Sequence, residues 1–238
     1  WHWKREERDT ASEIPHSPCD PFYSCRRATD GANWKNNTRW GTDADLSQWY
    51  GVGVNDQGRV VKLDLRYNEL RGPVPKELGA LSKLEKLWLG GSRLTGPIPK
   101  ELGDLSELEG LTLSFNQLTG EIPASLGQLV KLEALYLSQN KLSGEIPASL
   151  GQLVKLETLY LYQNKLSGTI PAELGKLTAL LELYLDGNDL SGAIPAQLGA
   201  LNKLTSLSLS KNQLTALWDH TQNVQDVDHK EGGDSMSG

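Results

Sequence analysis

Histidine, cysteine and long apolar runs are scarce in this chain, and an excess of positive charge is absent. The 238 residues include 2 cysteines and 4 histidines. A metal site needs several thiol or imidazole ligands at close spacing, so none is indicated, and no cofactor is expected. No apolar run approaches the roughly 20 residues that cross a bilayer. The 30 acidic residues outnumber the 24 basic ones, which argues against a nucleic-acid partner because such binders carry a basic stripe.

Sequence motifs of catalysis are also missing. No nucleophile elbow, phosphate-binding loop or metal-binding motif occurs. Asp219, His220 and Asp226 are close in sequence, but they fall in a polar tail that cannot hold a fixed geometry. The sequence therefore predicts that the protein is not an enzyme.

The chain is dominated by a unit that recurs every 24 residues, Leu-x-x-Leu-x-Leu-x-x-Asn-x-Leu-x-Gly-x-Ile-Pro-x-x-Leu-Gly-x-Leu. A constant period is typical of a solenoid, in which each unit buries its apolar edge only against its neighbours. The sequence predicts one repeat domain of the α/β solenoid class over residues 60–218. Ser92 replaces the asparagine in one copy, and the others have Asn68, Asn116, Asn140, Asn164, Asn188 and Asn212.

Each part of the unit has a structural interpretation. Alternation in Leu-x-x-Leu-x-Leu predicts a strand whose leucines point inward. The asparagine amide can then satisfy backbone groups of adjacent turns, and the shorter side chain of Ser92 cannot bridge as many, which predicts a soft spot there. Gly-x-Ile-Pro ends regular pairing before a short helical turn, as at 124–127. Because helical segments need more room than strands, the parallel strands should line the concave face and the helical turns the convex face.

The ends of the chain depart from the repeat. Residues 1–27 are polar and predicted to be irregular, and residues 28–59 are predicted to form a cap that contains a hairpin. Residues 219–238 are predicted to be a disordered acidic tail. The cap tryptophans, Trp34, Trp40 and Trp49, should cover the first row of leucines. Trp218, near the other end of the chain, should cover the last row.

The N-terminal part of the sequence has two further features. Cys19 and Cys25 are close enough in sequence to form a small loop disulfide, although free thiols are an alternative. Asn36-Asn37-Thr38 is an acceptor motif for N-glycosylation. The chain begins at Trp1 without an initiator methionine or an apolar leader, and it is interpreted as a processed form or a fragment.

Aromatic residues cluster where the concave face is expected. Stacked strands place equivalent positions about 4.8 Å apart, and Trp88 shares one exposed column with three tyrosines. Tyrosine and tryptophan provide a large contact area at little entropic cost. The predicted ligand-binding residues are Tyr67, Trp88, Phe115, Tyr136, Tyr160, Tyr162, Tyr184 and Asp186, with Glu133 and Glu157 from an acidic column beside them.

Two adjacent units, 118–141 and 142–165, differ at only three positions. The pairs are Thr119 and Ser143, Ala134 and Thr158, and Ser138 and Tyr162. Two of these three differences fall on the exposed strand face. Drift alone would explain so small a pattern, and the functional alternative is that a duplicate was retuned where it touches a partner.

Structural alternatives exist for both predicted columns. The tyrosines would also stabilise the sheet by stacking as a ladder, worth about 0.2 to 1 kcal/mol per pair. The acidic column would be a solvated face whose repulsion is relieved by lysines two residues earlier, or a rim that steers a basic ligand.

The Leu-x-Gly-x-Ile-Pro unit resembles the plant-type leucine-rich repeat over residues 60–214. The stretch from Thr29-Asp-Gly-Ala-Asn-Trp34 to Trp49-Tyr-Gly-Val-Gly-Val resembles the N-terminal cap of that family, especially in brown-algal members. The resemblance implies a right-handed leucine-rich-repeat superhelix and a non-catalytic ligand-recognition ectodomain. Two departures stand out: Asn55 occupies the place of the second cap cysteine, and residues 21–27 replace the helix that usually precedes the cap.

The predicted function is recognition of a protein or peptide ligand on the concave face, outside the cell or at its surface. One alternative is binding of carbohydrate or a cell-wall polymer, which stacked aromatics near acids also suit. Another is inhibition of an enzyme, of the polygalacturonase-inhibitor type. A surface-active role such as ice adsorption would favour flat rows of Thr or Ser, whereas the outer row varies between Pro97, Glu121, Glu145, Thr169 and Ala193.

Overall fold

Each repeat forms one turn of a solenoid in the computed structural model, which describes residues 20–215. Within that range the Leu-x-Leu segments build one sheet of 8 strands. The first two strands are antiparallel, and all later neighbours are parallel with equivalent repeat positions side by side. Numbered in chain order together with those of a second sheet, they are β1 (Val52–Val54), β2 (Val60–Asp64), β4 (Lys86–Trp88), β6 (Gly110–Thr112), β8 (Ala134–Tyr136), β10 (Thr158–Tyr160), β12 (Glu182–Tyr184) and β14 (Ser206–Ser208).

The second sheet has 7 parallel strands among the described residues and was not anticipated from the sequence. Each of its strands is 3 to 5 residues long with a single inward leucine in most copies, as in Leu142 and Leu166. So short a segment carries no recognisable period-two pattern. Its strands are β3 (Arg71–Pro73), β5 (Arg93–Gly96), β7 (Gln117–Gly120), β9 (Lys141–Glu145), β11 (Lys165–Gly168), β13 (Asp189–Ala193) and β15 (Gln213–Thr215).

A five-residue 3₁₀ helix follows the proline that ends each Gly-x-Ile-Pro or Gly-x-Val-Pro segment, which confirms the predicted helical turn. Successive 3₁₀ helices lie so close that a Cβ on Gly127 would stand 2.4 Å from the carbonyl oxygen of Ser149. The same contact recurs at Gly79, Gly103, Gly151 and Gly175 and explains the glycine of the Leu-Gly pair there, whereas a Cβ on Gly199 would meet nothing within 4 Å. The helices span Lys76–Ala80, Lys100–Asp104, Ala124–Gln128, Ala148–Gln152, Ala172–Lys176 and Ala196–Ala200.

The leucines of successive repeats form a continuous core. Leu135 in β8 and Leu137 directly after it are fully buried. Leu142, Leu150 and Leu153, farther along the chain, are also fully buried. Leucine burial of this kind is the main stabilising term, because each unit removes apolar surface from water only by stacking on the next.

The repeat asparagines form a hydrogen-bonded ladder beneath the ends of the inner strands. The Nδ2 of Asn164 donates to the carbonyl oxygen of Leu137 in the preceding repeat at 3.0 Å and to Leu161 in its own repeat at 3.1 Å. Its Oδ1 accepts the backbone N–H of Leu142 at 3.0 Å. The same pattern recurs at Asn116, Asn140, Asn188 and Asn212. The predicted role of the asparagine is confirmed.

Ser92 interrupts this ladder. Its Oγ accepts the N–H of Leu70 at 3.4 Å, a longer contact than the 2.9 Å between Leu94 and Asn116 in the next repeat. A hydroxyl lacks the two donors of an amide, so it cannot tie the carbonyl oxygens of two repeats together.

The N-terminal cap begins with a helix where the sequence analysis predicted an irregular segment, and that prediction is wrong for residues 21–27. The α-helix α1 spans Pro21–Ala28. Asp20 caps it by accepting the N–H of Tyr23 at 2.7 Å, and Pro21 occupies the first helical turn, where it lacks no hydrogen bond. Phe22 and Cys25 are buried against the solenoid. The Asp-Pro pair was the signal for this helix.

Three tryptophans fill the cap as predicted. Trp40 lies between Trp34 and Trp49, with ring centroids 4.8 and 5.2 Å away, and Phe22 packs on it at 5.8 Å. Each buried indole N–H donates to a backbone oxygen, so no polar group is stranded. The predicted hairpin is also present, since β1 pairs with β2 across the turn that begins at Asn55. Two short 3₁₀ turns, Gly31–Asn33 and Leu46–Gln48, complete the cap.

The side chain of Cys25 is fully buried, and the suggested disulfide to Cys19 stays a prediction. The side chain faces the core between α1 and the first repeats, and burial raises its pKa to about 12. Cys19 lies outside the described residues, as do Trp218 and the tail at 219–238.

Candidate ligand-binding face

Three tyrosines stack along the middle of the inner sheet. Tyr136, Tyr160 and Tyr184 occupy equivalent positions on β8, β10 and β12, as the repeat predicted. The centroid of the Tyr160 ring is 4.7 Å from each of the other two. All three side chains are half-buried, with the rest of their surface open to solvent. They form a continuous aromatic strip, the tyrosine ladder.

Tyr162 widens the ladder on one side. Its ring lies 6.1 Å from Tyr160 and 6.4 Å from Tyr184. The equivalent residues of the two preceding repeats, Ser114 and Ser138, are small and buried, and their hydroxyls lie 2.9 Å apart. The tyrosine at this position is therefore a local addition to the face and not part of the repeating core.

Polar contacts hold the ladder in place. The hydroxyl of Tyr160 donates to Oε2 of Glu182, and the hydroxyl of Thr158 donates to that of Tyr136 at 3.1 Å. Burial, followed by the hydrogen bond and charge of Glu182, raises the pKa of Tyr160 above its ordinary value. The phenol therefore stays protonated and acts as a donor. Neither Thr158 nor Glu182 was among the predicted site residues, although both share a column of the inner sheet.

Trp88 lies at the other end of the face and is surrounded by cations. The guanidinium carbon of Arg66 is 4.4 Å from the indole centroid, and the Nζ atoms of Lys62 and Lys86 are 4.7 and 5.8 Å away. Gly110 on the next strand leaves room for the ring, since a Cβ there would be 3.3 Å from the indole nitrogen. Such cation–π contacts contribute about 0.5 to 1 kcal/mol at exposed sites.

Asp64 is the carboxylate that accompanies these cations. Arg66 donates to it from two nitrogens, each at 2.9 Å, and Lys62 lies 3.4 Å away. Partial burial opposes its ionisation, but the hydrogen bonds and charge of Arg66 outweigh that effect, so the pKa of Asp64 lies below its usual value. The lysines and Arg66 were not predicted as site residues. Alignment of Lys62 with Lys86 at a 24-residue interval was the available signal.

Tyr67 and Phe115 lie at the edge of the face, one residue before the repeat asparagine. Both have left-handed backbone conformations, with φ of 53° and 58°, and both are exposed, at 62% and 40%. A non-glycine residue with positive φ is strained, and bulky exposed side chains there gain little from the core. These two residues lie apart from the tyrosine ladder.

The predicted acidic residues have different surroundings. Glu133 and Glu157 are exposed and immediately precede β8 and β10. In the same region Lys131 pairs with Glu107 at 2.5 Å, which is a partner other than the one expected. Asp186 is 9% exposed, and its Oδ1 is buried without a hydrogen-bond partner among the described residues.

The glycosylation motif lies in the cap. Oδ1 of Asn36 accepts both the N–H and the hydroxyl of Thr38, at 3.0 and 2.7 Å. The backbone of Asn36 is tied to the side chain of Asn68 in the first repeat. Glycosylation of Asn36 stays a prediction.

Between residues 20 and 215 no group of histidine, cysteine and acidic side chains could hold a metal ion. The helices in the same part of the chain are too short or too polar to traverse a lipid bilayer.

The turns of 24 residues, their leucine core and the parallel inner sheet define a leucine-rich solenoid. The chain belongs to the leucine-rich repeat family, since the model of a leucine-rich repeat region matches residues 57–234. A curated relative is the receptor-like protein kinase BRI1-like 3 of Arabidopsis thaliana, which is 43% identical over 64 residues. Those residues are 26% of this chain and 6% of that kinase, so the chain spans a small part of the relative it matches.

Solved structures of plant proteins share the fold. A pollen receptor kinase 3 is 30% identical, with a TM-score of 0.72 over 85% of this chain and 99% of the other. A plant ice-binding protein is 29% identical, with a TM-score of 0.74 over 85% and 73%. The Arabidopsis receptor kinase HAESA, solved with the peptide hormone IDA and the co-receptor SERK1, is 33% identical, with a TM-score of 0.63 over 84% and 38%. The likeness to receptor ectodomains implied by the Leu-x-Gly-x-Ile-Pro motif is confirmed.

Proposed function

We propose that this chain is a non-catalytic recognition module that binds a peptide or protein segment on its concave face outside the cell. The tyrosine ladder and Tyr162 carry the proposal. Four tyrosine rings lie together on the inner sheet, half-buried and joined by contacts of 4.7 to 6.4 Å. Such a patch offers rigid aromatic area with polar tips, the composition that dominates protein interfaces.

A purely structural ladder would not require Tyr162 or Trp88. Tyr162 adds a ring beside the ladder, whereas serine fills the equivalent position in the two preceding repeats. Trp88 shares its column with the tyrosines but is separated from them by Thr112 on β6. A peptide hormone is present in the structure of HAESA, which is similar to this chain, and this also supports a peptide ligand.

The test is a selection of displayed random peptides that bind the full chain. Selected peptides should bind wild type and lose at least about tenfold in affinity to a Tyr136→Ala/Tyr160→Ala/Tyr162→Ala variant, which corresponds to about 1.4 kcal/mol. The control variant Val130→Ser/Val154→Ser changes two exposed side chains away from the inner sheet. Equal binding to the tyrosine variant and to wild type would remove the concave face from the proposal.

A second candidate function is adsorption to ice through the second sheet. Its strands carry a hydroxyl side chain at the same position of six repeats, and the register places each opposite a residue two positions earlier in the next repeat, as with Thr95 and Gln117. The six are Thr95, Thr119, Ser143, Ser167, Ser191 and Thr215. This row belongs to the second sheet, which the repeat pattern did not predict. The similarity to a plant ice-binding protein supports the candidate. Inhibition of ice recrystallisation by wild type, and its loss in Thr95→Lys/Thr119→Lys, would support it, and absence of any inhibition would exclude it.

A further inference from the structure

Charge in the three central columns of the concave face is separated into two poles. The three central columns of the inner sheet begin at Lys62, Asp64 and Arg66 and advance by one repeat per strand. In these columns, the repeats of β6, β8 and β10 contribute no charged residue. The basic pole consists of Lys62, Arg66 and Lys86 with the single carboxylate Asp64, and the acidic pole consists of Glu182 and Asp186.

The basic pole carries an excess of positive charge. Lys62, Arg66 and Lys86 lie in contact with or beside the Trp88 ring. The only carboxylate of the basic pole is Asp64, which Arg66 and Lys62 hold, so the three cations outnumber it. The cations gather around one aromatic surface, with the farthest of them 5.8 Å from its centroid. A ligand carboxylate at this point would be attracted by the excess positive charge and would pack against the indole.

One carboxylate oxygen of the acidic pole lacks a hydrogen-bond donor among the described residues. Asp186 is nine-tenths buried, and its Oδ1 has no hydrogen-bond partner among residues 20–215. A buried carboxylate oxygen without a donor is unfavourable, and it is most effectively satisfied by a cationic donor. Tyr162 occupies the same column one strand earlier, and aromatic faces also attract cations.

The distance between the poles sets the size of the ligand. From β4 to β12 the sheet advances by four strand spacings, or about 19 Å. An extended peptide covers about 3.3 Å per residue, so about six residues bridge the two poles. The intervening strands present the uncharged tyrosine ladder, which suits an apolar or polar central segment.

We propose that the ligand is a linear peptide with an anionic and a cationic group about six residues apart, the anion at the basic pole and the cation on Asp186. This inference rests on the proposed function, since it assumes that the concave face binds a peptide. The overall charge of the chain is −6, so the basic pole is a local exception that favours one orientation of a charged ligand.

The test uses two synthetic peptide pools of identical composition. One pool fixes Asp and Arg with five randomised residues between them, and the other fixes Asp and Arg as neighbours. Both pools are passed over the immobilised full chain, and retained peptides are quantified by mass spectrometry. The pool with separated charges should be retained at least about tenfold better, and raising the salt concentration should weaken its retention.

Protein variants assign each charge to its pole. Retention of the pool with separated charges is compared with that of a pool whose Arg is replaced by Gln and a pool whose Asp is replaced by Asn. Asp186→Asn keeps the size of the side chain and removes its charge, and it should abolish the preference for Arg over Gln while the preference for Asp over Asn persists. Lys86→Gln should do the opposite. Lys165→Gln, a charge change on the second sheet, is the matched control and should leave both preferences intact. Thermal unfolding of each variant shows that the fold is retained.

The outcomes separate this inference from the proposed function. Equal retention of the two pools, with loss of both in the tyrosine variant, would overturn the charge-pole inference and leave peptide binding standing. If the tyrosine variant retained either pool as well as wild type does, both proposals would be overturned. Failure of the wild-type chain to retain either pool would also overturn the charge-pole inference.

Discussion

The hydroxyl of Thr158 lies 3.1 Å from the hydroxyl of Tyr136 on the adjacent strand. Thr158 is one of the three positions at which two otherwise identical repeats differ, and Ala134 occupies its place in the preceding repeat. Tyr162, another of the three, packs beside the tyrosine ladder. Both strand differences thus lie on the same aromatic patch, which supports retuning of a duplicate at a binding surface.

Thr158→Ala should loosen Tyr136 without unfolding the chain. The lost contact is a single hydrogen bond between half-buried hydroxyls, so the free energy of unfolding should fall by about 0.5 to 1.5 kcal/mol in urea denaturation. Affinity for a selected concave-face peptide should fall as well. Thr158→Ser keeps the hydroxyl and serves as control; a Ser variant as weak in binding as the Ala variant would contradict a role for this bond.

Asn164→Ala should be severely destabilising. The amide bonds backbone groups of two repeats, with contacts to Leu137, Leu142 and Leu161. Each buried group left unsatisfied costs about 1 to 3 kcal/mol, so the free energy of unfolding should fall by at least about 2 kcal/mol in chemical denaturation. A loss below about 0.5 kcal/mol would show that water replaces the ladder.

Ser92→Asn should have the opposite effect. An amide at this position can complete the ladder, as Asn116 does in the next repeat. The expected gain is about 1 kcal/mol of unfolding free energy. In hydrogen exchange, the amide of Leu70 should be more strongly protected in this variant than in wild type. Unchanged protection would contradict a soft spot at Ser92.

Leu137→Ala should remove about 2 to 5 kcal/mol of unfolding free energy, because Leu137 is fully buried and the neighbouring turns cannot collapse into the cavity. Leu137→Ile, which nearly conserves volume, is expected to lose less than about 1.5 kcal/mol. Calorimetry or urea denaturation measures both. Similar losses in the two variants would show that shape, and not volume, limits this core.

Cys25 should resist alkylation in the native protein. Burial raises its pKa to about 12 from the ordinary value of 9.0. Because the folded pKa exceeds the unfolded one, the corresponding stabilisation is fully present below about pH 9 and is lost as the pH rises toward about 12. Iodoacetamide at pH 8 should leave Cys25 unmodified in a Cys19→Ser variant and should modify it in denaturant. Rapid native labelling would contradict burial of the thiol.

Much of the fold followed from local chemistry in the repeat. The spacing of leucines such as Leu135 and Leu137 indicated inward strand positions, and the same spacing indicated that Tyr136 lies on the opposite face. The asparagine ladder and the glycine contacts between 3₁₀ helices follow from the same unit. Each of these features depends on neighbours exactly one repeat away, which a periodic sequence specifies directly.

Features without that periodicity were missed or mistaken. Helix α1 depends on one Asp-Pro cap and on burial of Phe22 against the cap, and the polar surroundings obscured both. The strands of the second sheet are too short for a pattern. The partner of Tyr160 was missed because Glu182 lies on the next strand and two positions earlier in its repeat, a diagonal relation that no local motif encodes.

The amino-acid sequence alone determined the solenoid, its register and the aromatic column, because a 24-residue period brings equivalent side chains together whatever the ends of the chain do. Tertiary structure alone decided which charges meet. Three cations gather around Trp88, and the carboxylate of Asp186 is buried without a donor among the described residues. These arrangements depend on side-chain direction and on the room left by neighbours such as Gly110, which packing sets and periodicity does not.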